Sequence, residues 1–272
     1  MRLMCEVIGA SKSGFYRWMK YQWNRISRNE RYLLIRIKEV FEQSRCLYGS
    51  RRITYELKSM GVHCYLNQVN KIMRDNGIKA KTHNKFRITT DSGHNKRISP
   101  NLLQRNFTVS SVNQVLVGDI TYIWTLEGWL YLSTVIDLYS RRIVGWSVGN
   151  RLTKEIVIKS LELAYKLRQP ADGFIFHSDR GVQYASDEFR ALLNNIGGVQ
   201  SMSRKGDCWD NAVAESFFKT IKNELIRWHR FKTRKEAELR IFEYIEIFYN
   251  RKRLHSSNNY LSPNDFENKK TP

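Results

Sequence analysis

The sequence predicts an α/β fold in which a mixed sheet with flanking helices follows a small all-helical region. Three observations carry this expectation. The segments VLVGDITYIW, GWLYLSTVI and RRIVGWSVG are rich in β-branched and aromatic residues, and the turn-like DLYSRR separates the last two, as in consecutive antiparallel strands. TKEIVIKSLELAYKLR then shows helical periodicity and leads into the apolar run Phe174, Ile175 and Phe176, the order of a helix feeding a parallel strand. Residues 30 to 77 show helical periodicity only.

The 272 residues, 42% of them hydrophobic, are enough for a sizeable core and for two domains. The net charge of +20 is uneven: residues 1–105 hold 22 Lys and Arg against 7 Asp and Glu, a net of +15, which leaves +5 for the remainder. A basic first part is the electrostatic footprint for a polyanion. Charge alone does not name the partner, because ribosomal or membrane-surface binding fits it equally. Glu6 interrupts the opening MRLMCEVIGA, so no signal peptide is expected, and no uncharged run approaches the roughly 18 apolar residues of a membrane span. A cytoplasmic, nucleoid-associated protein with no membrane partner is the expectation. Cys5, Cys46, Cys64 and Cys208 form no CxxC pair, so they read as ordinary buried thiols rather than a zinc or disulfide framework.

In chain order, MRLMCEVIGASKSGFYRWMK reads as two short helices broken at Gly-Ala-Ser, equally a shortened helix-turn-helix or a small packing hairpin. NERYLLIRIKEVFEQS, GSRRITYELKSMG and LNQVNKIMRDNG read as three helices, the last two joined across Gly61 as in a helix-turn-helix. In that arrangement Lys71 and Arg74 meet phosphate, with Asn67, Gln68 and Asn70 near base edges. The helical region is assigned to residues 1–77. Periodicity then disappears and basic and hydroxyl residues dominate, so 78–105 reads as a basic linker. A catalytic core is assigned to 106–226. The long amphipathic helix TRKEAELRIFEYIEIFYNRKR and the tail LHSSNNYLSPNDF make a C-terminal helical extension over 227–272, where Arg253 and His255 either touch DNA or serve packing and capping.

Three acids stand out by context. Asp179 lies at the carboxyl end of the Phe174–Phe176 strand, where open α/β sheets place ligand sites. Asp119 interrupts a β-branched and aromatic strand, where a charge is costly to bury without a partner or a metal. Glu215 lies on a helix whose apolar stripe is Ala214, Phe218, Ile221 and Leu225. At about 100° per residue, Asn211, Glu215, Lys219 and Lys222 fall within roughly 80° of one another, a polar stripe for metal and nucleic-acid phosphate. Plain Glu–Lys pairing on a solvated helix accounts for the stripe as well. Asp207 and Asp210 read as helix N-terminal caps, Asp137 as a hairpin-turn residue working with Ser140 and Arg141, and His177 as a structural residue of the sheet. Three antiparallel strands, a helix, a parallel strand and a later acid-bearing helix describe a ribonuclease-H-like core, a five-stranded mixed sheet with flanking helices.

GDITYIW, TVIDLYSRRIVGWSV, FHSDRGVQY, GDCWDNAVAESFFKTIKNEL and FYNRKRLHSSNNYLSPNDF resemble, nearly end to end, the integrase-type (DDE) transposases encoded by the second reading frame, OrfB, of bacterial insertion sequences. Their catalytic core is retroviral-integrase-like. The resemblance implies that Asp119, Asp179 and Glu215 form the catalytic triad and hold the metal, and that Lys222 holds the reacting DNA end. It implies double-stranded DNA, both element ends and target, as partner, a homo-oligomer on that DNA, and the upstream-frame (OrfA) product as a partner or fusion. Three convergent carboxylates repel unless divalent cations neutralise them, and hard oxygen ligands suit Mg²⁺ or Mn²⁺, here as two ions. The expected activity is metal-dependent DNA cleavage followed by strand transfer. One phosphodiester replaces another, consistent with the lack of a GxxxxGK[ST] loop. Two alternatives stay open: a catalytically silent DNA-binding regulator, and a tyrosine recombinase, for which Arg253, His255 and Tyr260 are a poor match.

Overall fold

The structure is a computed structural model that describes residues 7, 9, 11–23, 28–81, 97–204 and 208–270. The helix expected before the Gly-Ala-Ser break falls largely outside the described residues, as do Cys5 and Asp207. The chain forms two compact units, Met1–Lys81 and Thr82–Pro272.

The first unit contains α1 (Lys12–Trp23), α2 (Arg28–Gln43), α3 (Ser50–Ser59) and α4 (Leu66–Asp75). Leu33, Ile37 and Val40 on α2, Ile53 and Leu57 on α3 and Val69 on α4 recur at three- and four-residue spacing and are all buried, so three amphipathic stripes share one small core. Gly61 ends α3 as expected. Its φ of +77° lets its own N–H reach the Lys58 carbonyl at 3.0 Å, and Val62 N–H reaches the Leu57 carbonyl at 2.9 Å. This left-handed cap satisfies the last helical carbonyls and turns the chain toward α4. Cys64 is buried and Cys46 partly so.

The second unit is built on a five-stranded sheet of order β3-β2-β1-β4-β5. β1 (Val115–Thr125), β2 (Gly128–Asp137) and β3 (Ile143–Gly149) are antiparallel neighbours; α5 (Lys154–Arg168) crosses over to β4 (Ile175–Ser178), and α6 (Asp187–Asn195) to β5 (Val199–Met202). β4 is parallel to both β1 and β5. Leu116, Val135, Val157, Leu161, Phe176 and Phe189 form the centre of the core between the sheet and its two crossover helices. Asp137 takes the turn role expected of it: Oδ1 accepts from Tyr139 and Ser140 N–H at 2.9 and 3.2 Å, and Oδ2 from Asn113 N–H at 2.7 Å.

The linker expected over 78–105 divides. Lys81 N–H closes onto the Cys46 carbonyl within the helical unit, and 82–96 lie outside the described residues. Residues 97–105 are not a tether. Leu103 is buried, Ile98 packs on the core, Ser99 Oγ donates to Gln200 Oε1 at 2.7 Å, and Met202 N–H donates to the Pro100 carbonyl at 3.3 Å. An irregular segment held by two separated apolar anchors has no period to detect, which is why composition alone favoured a linker.

After α7 (Ala212–Glu224), α8 (Arg234–Phe242) continues into a wider π turn, Glu243–Tyr249, and α9 (Pro263–Lys270) follows. The wider turn buries Tyr244, Ile245, Phe248 and Tyr249 together. Asn250 pairs with β3 as a strand residue would, accepting from Ile143 N–H at 3.0 Å and donating to its carbonyl at 2.9 Å. Glu267 on α9 accepts from Arg168 at 2.7 and 2.9 Å and from Arg142 at 2.8 Å. Among the described residues, no helix is long and apolar enough to cross a membrane.

Candidate active site

β4 follows β1 only from Val115↔Ile175 to Val117↔His177, so the two parallel strands part just before Asp119. Such a parting at the carboxyl ends of parallel strands opens a crevice, and Asp179 directly follows the last residue of β4 on its other side. Gly118 allows β1 to lie this close to the layer beneath: a Cβ there would stand 2.4 Å from Phe176 Cζ. Asp119 Oδ1 accepts from Ile120 N–H at 2.7 Å, and Asp179 Oδ1 from Gly181 N–H at 2.9 Å. Glu215 stands in the first turn of α7, whose buried face is Ala214, Phe217, Phe218 and Ile221. All three carboxylates are half-buried.

Their electrostatics report convergence. Burial, then Asp179, and to a lesser degree Glu215 push the Asp119 carboxyl well above the usual range; the Ile120 N–H and Lys222 pull the other way. Burial and Asp179 likewise raise Glu215. Beneath them Tyr184, 1% exposed, is pushed up by burial and by both aspartates. The site therefore holds more negative charge than its surroundings balance. The donor set, two aspartates and a glutamate, has the chemistry of a divalent hard-cation site. Among the described residues, no group of three or more His, Cys, Asp or Glu side chains is placed to hold a metal ion.

The polar stripe on α7 is shorter than the helical angles predicted. Lys219 is exposed and Lys222 half-buried, its Nζ 5.2 Å from the centre of the Tyr122 ring. Burial lowers the Lys222 ammonium, and Asp119 counters that shift. Asn211 does not belong to the stripe. It is 4% exposed, because the chain enters α7 through a 3₁₀ turn, Cys208–Asn211, to which 100° spacing does not apply.

Asp210 is not a helix cap either. Its carboxylate accepts from Arg204 backbone N–H, Nε and Nη2 at 2.9, 3.0 and 2.9 Å, from Arg105 Nε at 2.9 Å and from Asn101 Nδ2 at 2.9 Å, while the cap position falls to Asn211. His177 has the structural role expected of it. Fully buried, it joins Ser201 Oγ at 2.8 Å and the Asp210 carbonyl at 3.0 Å, and burial pushes its imidazole below the usual histidine range. Arg253, considered for DNA, is 5% exposed and bound to Glu224. In the helical unit, Lys71, Arg74, Asn67 and Asn70 are exposed on α4, and Gln68 is half-buried.

Sequence reading passed over Tyr122, Trp124 and Trp129, which line the sheet surface beyond Asp119. Trp124 and Trp129 are cross-strand partners, with ring centres 4.9 Å apart and 56% and 43% exposed. The signal was the alternation in TYIWTLEGW, where exposed positions of an amphipathic strand are aromatic instead of polar.

Comparison with known proteins assigns residues 109–208 and 215–270 to integrase core domain families and residues 27–86 to an HTH-like domain family. The insertion element IS600 31 kDa protein of Shigella sonnei is 42% identical, over 98% of this chain and 98% of its own length. Transposase InsF for insertion sequence IS3A of Escherichia coli (strain K12) is 39% identical over 99% of this chain and 94% of its own length. The transposase of IS904 from Lactococcus lactis is 42% identical over 85% of this chain and 92% of its own. Among solved structures, the HTLV-2 integrase catalytic core in complex with magnesium aligns over 58% of this chain and 97% of its own, at 15% identity and TM-score 0.45. Identity near 40% sustained over nearly the whole length of both proteins makes this chain a member of the integrase-type insertion-sequence transposases, the family that includes those of IS3 and IS904.

Proposed function

We propose that this transposase cuts and joins DNA through Asp119, Asp179 and Glu215, which hold Mg²⁺ or Mn²⁺, two ions in the reacting state. The observation that carries the reading is the placement of three half-buried carboxylates, from β1, just past the end of β4 and in the first turn of α7, where β1 and β4 part, with Asp119 and Glu215 both pushed up by burial and by Asp179. A divalent cation bound there would neutralise the negative charge that builds on a phosphodiester and help ionise the attacking water or 3′-hydroxyl. The chain's residues do the positioning. The aspartates approach from two rigid strands, Glu215 from a packed helix, and Lys219 and Lys222 offer ammonium groups to the flanking phosphates. Hydrolysis frees a 3′ end of the element, and that hydroxyl then attacks a second strand in the same crevice. Lys71 and Arg74 on α4 contact phosphates of the duplex. Assembly as a homo-oligomer on paired ends, and with the upstream-frame product, belongs to the same reading.

The test uses duplex DNA carrying the terminal repeats that flank the gene. Asp119→Asn, Asp179→Asn and Glu215→Gln are each expected to abolish nicking and joining while DNA affinity stays within about threefold, below ~1 kcal/mol. Parental turnover in any one variant removes that residue from the site, and full activity in excess EDTA ends the metal account. A parent that binds these ends and never nicks them in Mg²⁺ or Mn²⁺ is the silent regulator instead.

A further inference from the structure

Beyond Asp119, β1 has no partner on its β4 side among the described residues, and the β1–β2 hairpin carries two exposed rings, Trp124 and Trp129, beside the half-buried Tyr122. Tyr122 meets Trp129 edge-on at 5.2 Å and 87°, and Trp129 meets Trp124 at 4.9 Å and 75°. Leu126, 68% exposed, extends the surface around the hairpin tip. Two exposed tryptophans in contact with each other and with a half-buried tyrosine make an apolar patch of the kind that marks a binding face.

Its position and charge identify the occupant. Tyr122 is three residues from Asp119, about 10 Å along the strand; the odd offset turns its side chain to the other face of the sheet, so the rings and the carboxylates meet around the open edge of β1. Lys222 lies between the two features, over the Tyr122 ring and within the field of Asp119. At the other end Arg234 Nε donates to the Trp129 carbonyl at 3.0 Å, and Glu127 accepts from Arg234 N–H at 2.7 Å. Rings flanked by cations and joined through Lys222 to a phosphate-handling site suit a polyanion that carries flat apolar groups. Rings set nearly perpendicular to one another offer their faces to bases that have left a duplex stack; an intact duplex presents only phosphates and groove edges.

We propose that Trp124 and Trp129, with Tyr122, form a stacking platform for unpaired bases of the DNA strand whose phosphate lies at the carboxylate site. The proposal rests on the DNA-cleaving reading of that site. The platform holds the frayed end of the duplex open, so that the strand to be cut leaves its complement before it reaches Asp119.

The full chain is tested with two probes, a short single-stranded oligothymidine containing one 2-aminopurine and a blunt duplex of equal length. Trp124→Ala combined with Trp129→Ala is expected to weaken single-strand binding about 10-fold or more and to abolish 2-aminopurine quenching. Duplex affinity should change less than about twofold, and Trp124→Phe with Trp129→Phe should restore most of the loss. Unchanged single-strand binding, an equal loss on both probes, or an altered oligomeric state with nucleic-acid binding intact overturns the platform. If the alanine pair fails to fold, Trp124→Ala alone, at the more exposed ring, carries the same measurement. The two readings fail separately: Asp119→Asn that still cleaves removes the carboxylate site and leaves the stacking result standing, whereas intact quenching in the tryptophan variants removes only the platform.

Discussion

Arg253 meets Glu224 through a paired contact, Nε to Oε2 at 2.8 Å and Nη2 to Oε1 at 2.6 Å, with both side chains more than nine-tenths out of solvent. Tyr244 OH adds a third donor to Glu224 at 2.7 Å. Glu224 ends the helix that carries Glu215, and Arg253 follows the π turn, so the C-terminal segment fixes the far end of the acid-bearing helix. Removing one member of such a pair leaves the other buried and uncompensated. Arg253→Ala is therefore expected to lower unfolding stability by about 3–5 kcal/mol in denaturant titration. A loss under about 1 kcal/mol would mean that solvent reaches Glu224 and that the pair does not anchor the helix.

Asp210 gives the protein an acid-sensitive joint. Arg204 first, with Arg105 adding, holds its carboxyl well below the usual carboxylate range although the side chain is buried. A depressed folded-state pKa stabilises above the unfolded value near 3.9, and that stability is lost as pH falls through the folded value. Asp210→Asn is expected to cost about 1.5–3 kcal/mol at pH 7, where the parent carboxylate is ionised. The gap to the parent should narrow only below about pH 4. A gap that closes between pH 5 and 7 would show that Asp210 is not the group responsible.

The carboxylate site should be a place where the fold gives up stability. Asp119 is raised by burial and by Asp179, so its ionised form opposes folding at neutral pH, the opposite sign to Asp210. Asp119→Asn is expected to raise the melting temperature in EDTA, at roughly 2–4 °C per kcal/mol for a chain of this size, and to abolish the rise that Mg²⁺ gives the parent. A variant that melts lower in EDTA, or that still gains from Mg²⁺, would contradict this account of the site.

How much of this was legible depends on where each signal lives. β1, β2, β3 and α5 follow directly from alternation and periodicity, because each buries one continuous face. β5 does not announce itself: VQSM is four residues long and half polar, and it is a strand because β4 offers a parallel edge. Of the three acids, Asp119 stood out because charge inside an apolar strand is locally anomalous, Asp179 by its place at a strand end and Glu215 by the polar stripe of an amphipathic helix. Asn211 and Asp210 were misplaced for one reason, that the 3₁₀ entry to α7 shifts the face each presents, and periodicity cannot register a change of helix type. Arg204 and Arg105, which hold Asp210, are 6 and 105 residues from it in sequence, and such pairings exist only after folding.

On the helical unit, Lys71 and Arg74 stand exposed on α4, the second helix of the pair joined across Gly61. If they meet phosphates, replacing each with Ala in the full chain should weaken duplex binding evenly across sequences. Each should also lower the slope of log affinity against log salt by about 1. An unchanged slope would remove them from the DNA contact.

Lys222 separates two effects that usually travel together. As an exposed stripe residue it would change stability by no more than roughly 0.5 kcal/mol when truncated; half-buried over Tyr122, it should contribute up to about 1 kcal/mol. Its charge also offsets the carboxylates, since Lys222 pulls the Asp119 carboxyl down. Lys222→Ala therefore leaves a more negative crevice, which should attract a divalent cation more strongly while it holds DNA phosphate less well. The expected result is a larger Mg²⁺-induced rise in melting temperature together with weaker end binding and slower strand transfer. A structural role alone would lower both, and an ordinary surface lysine would change neither. Only opposite movement of the metal and DNA responses identifies Lys222 as the cation that links the acid site to the incoming strand.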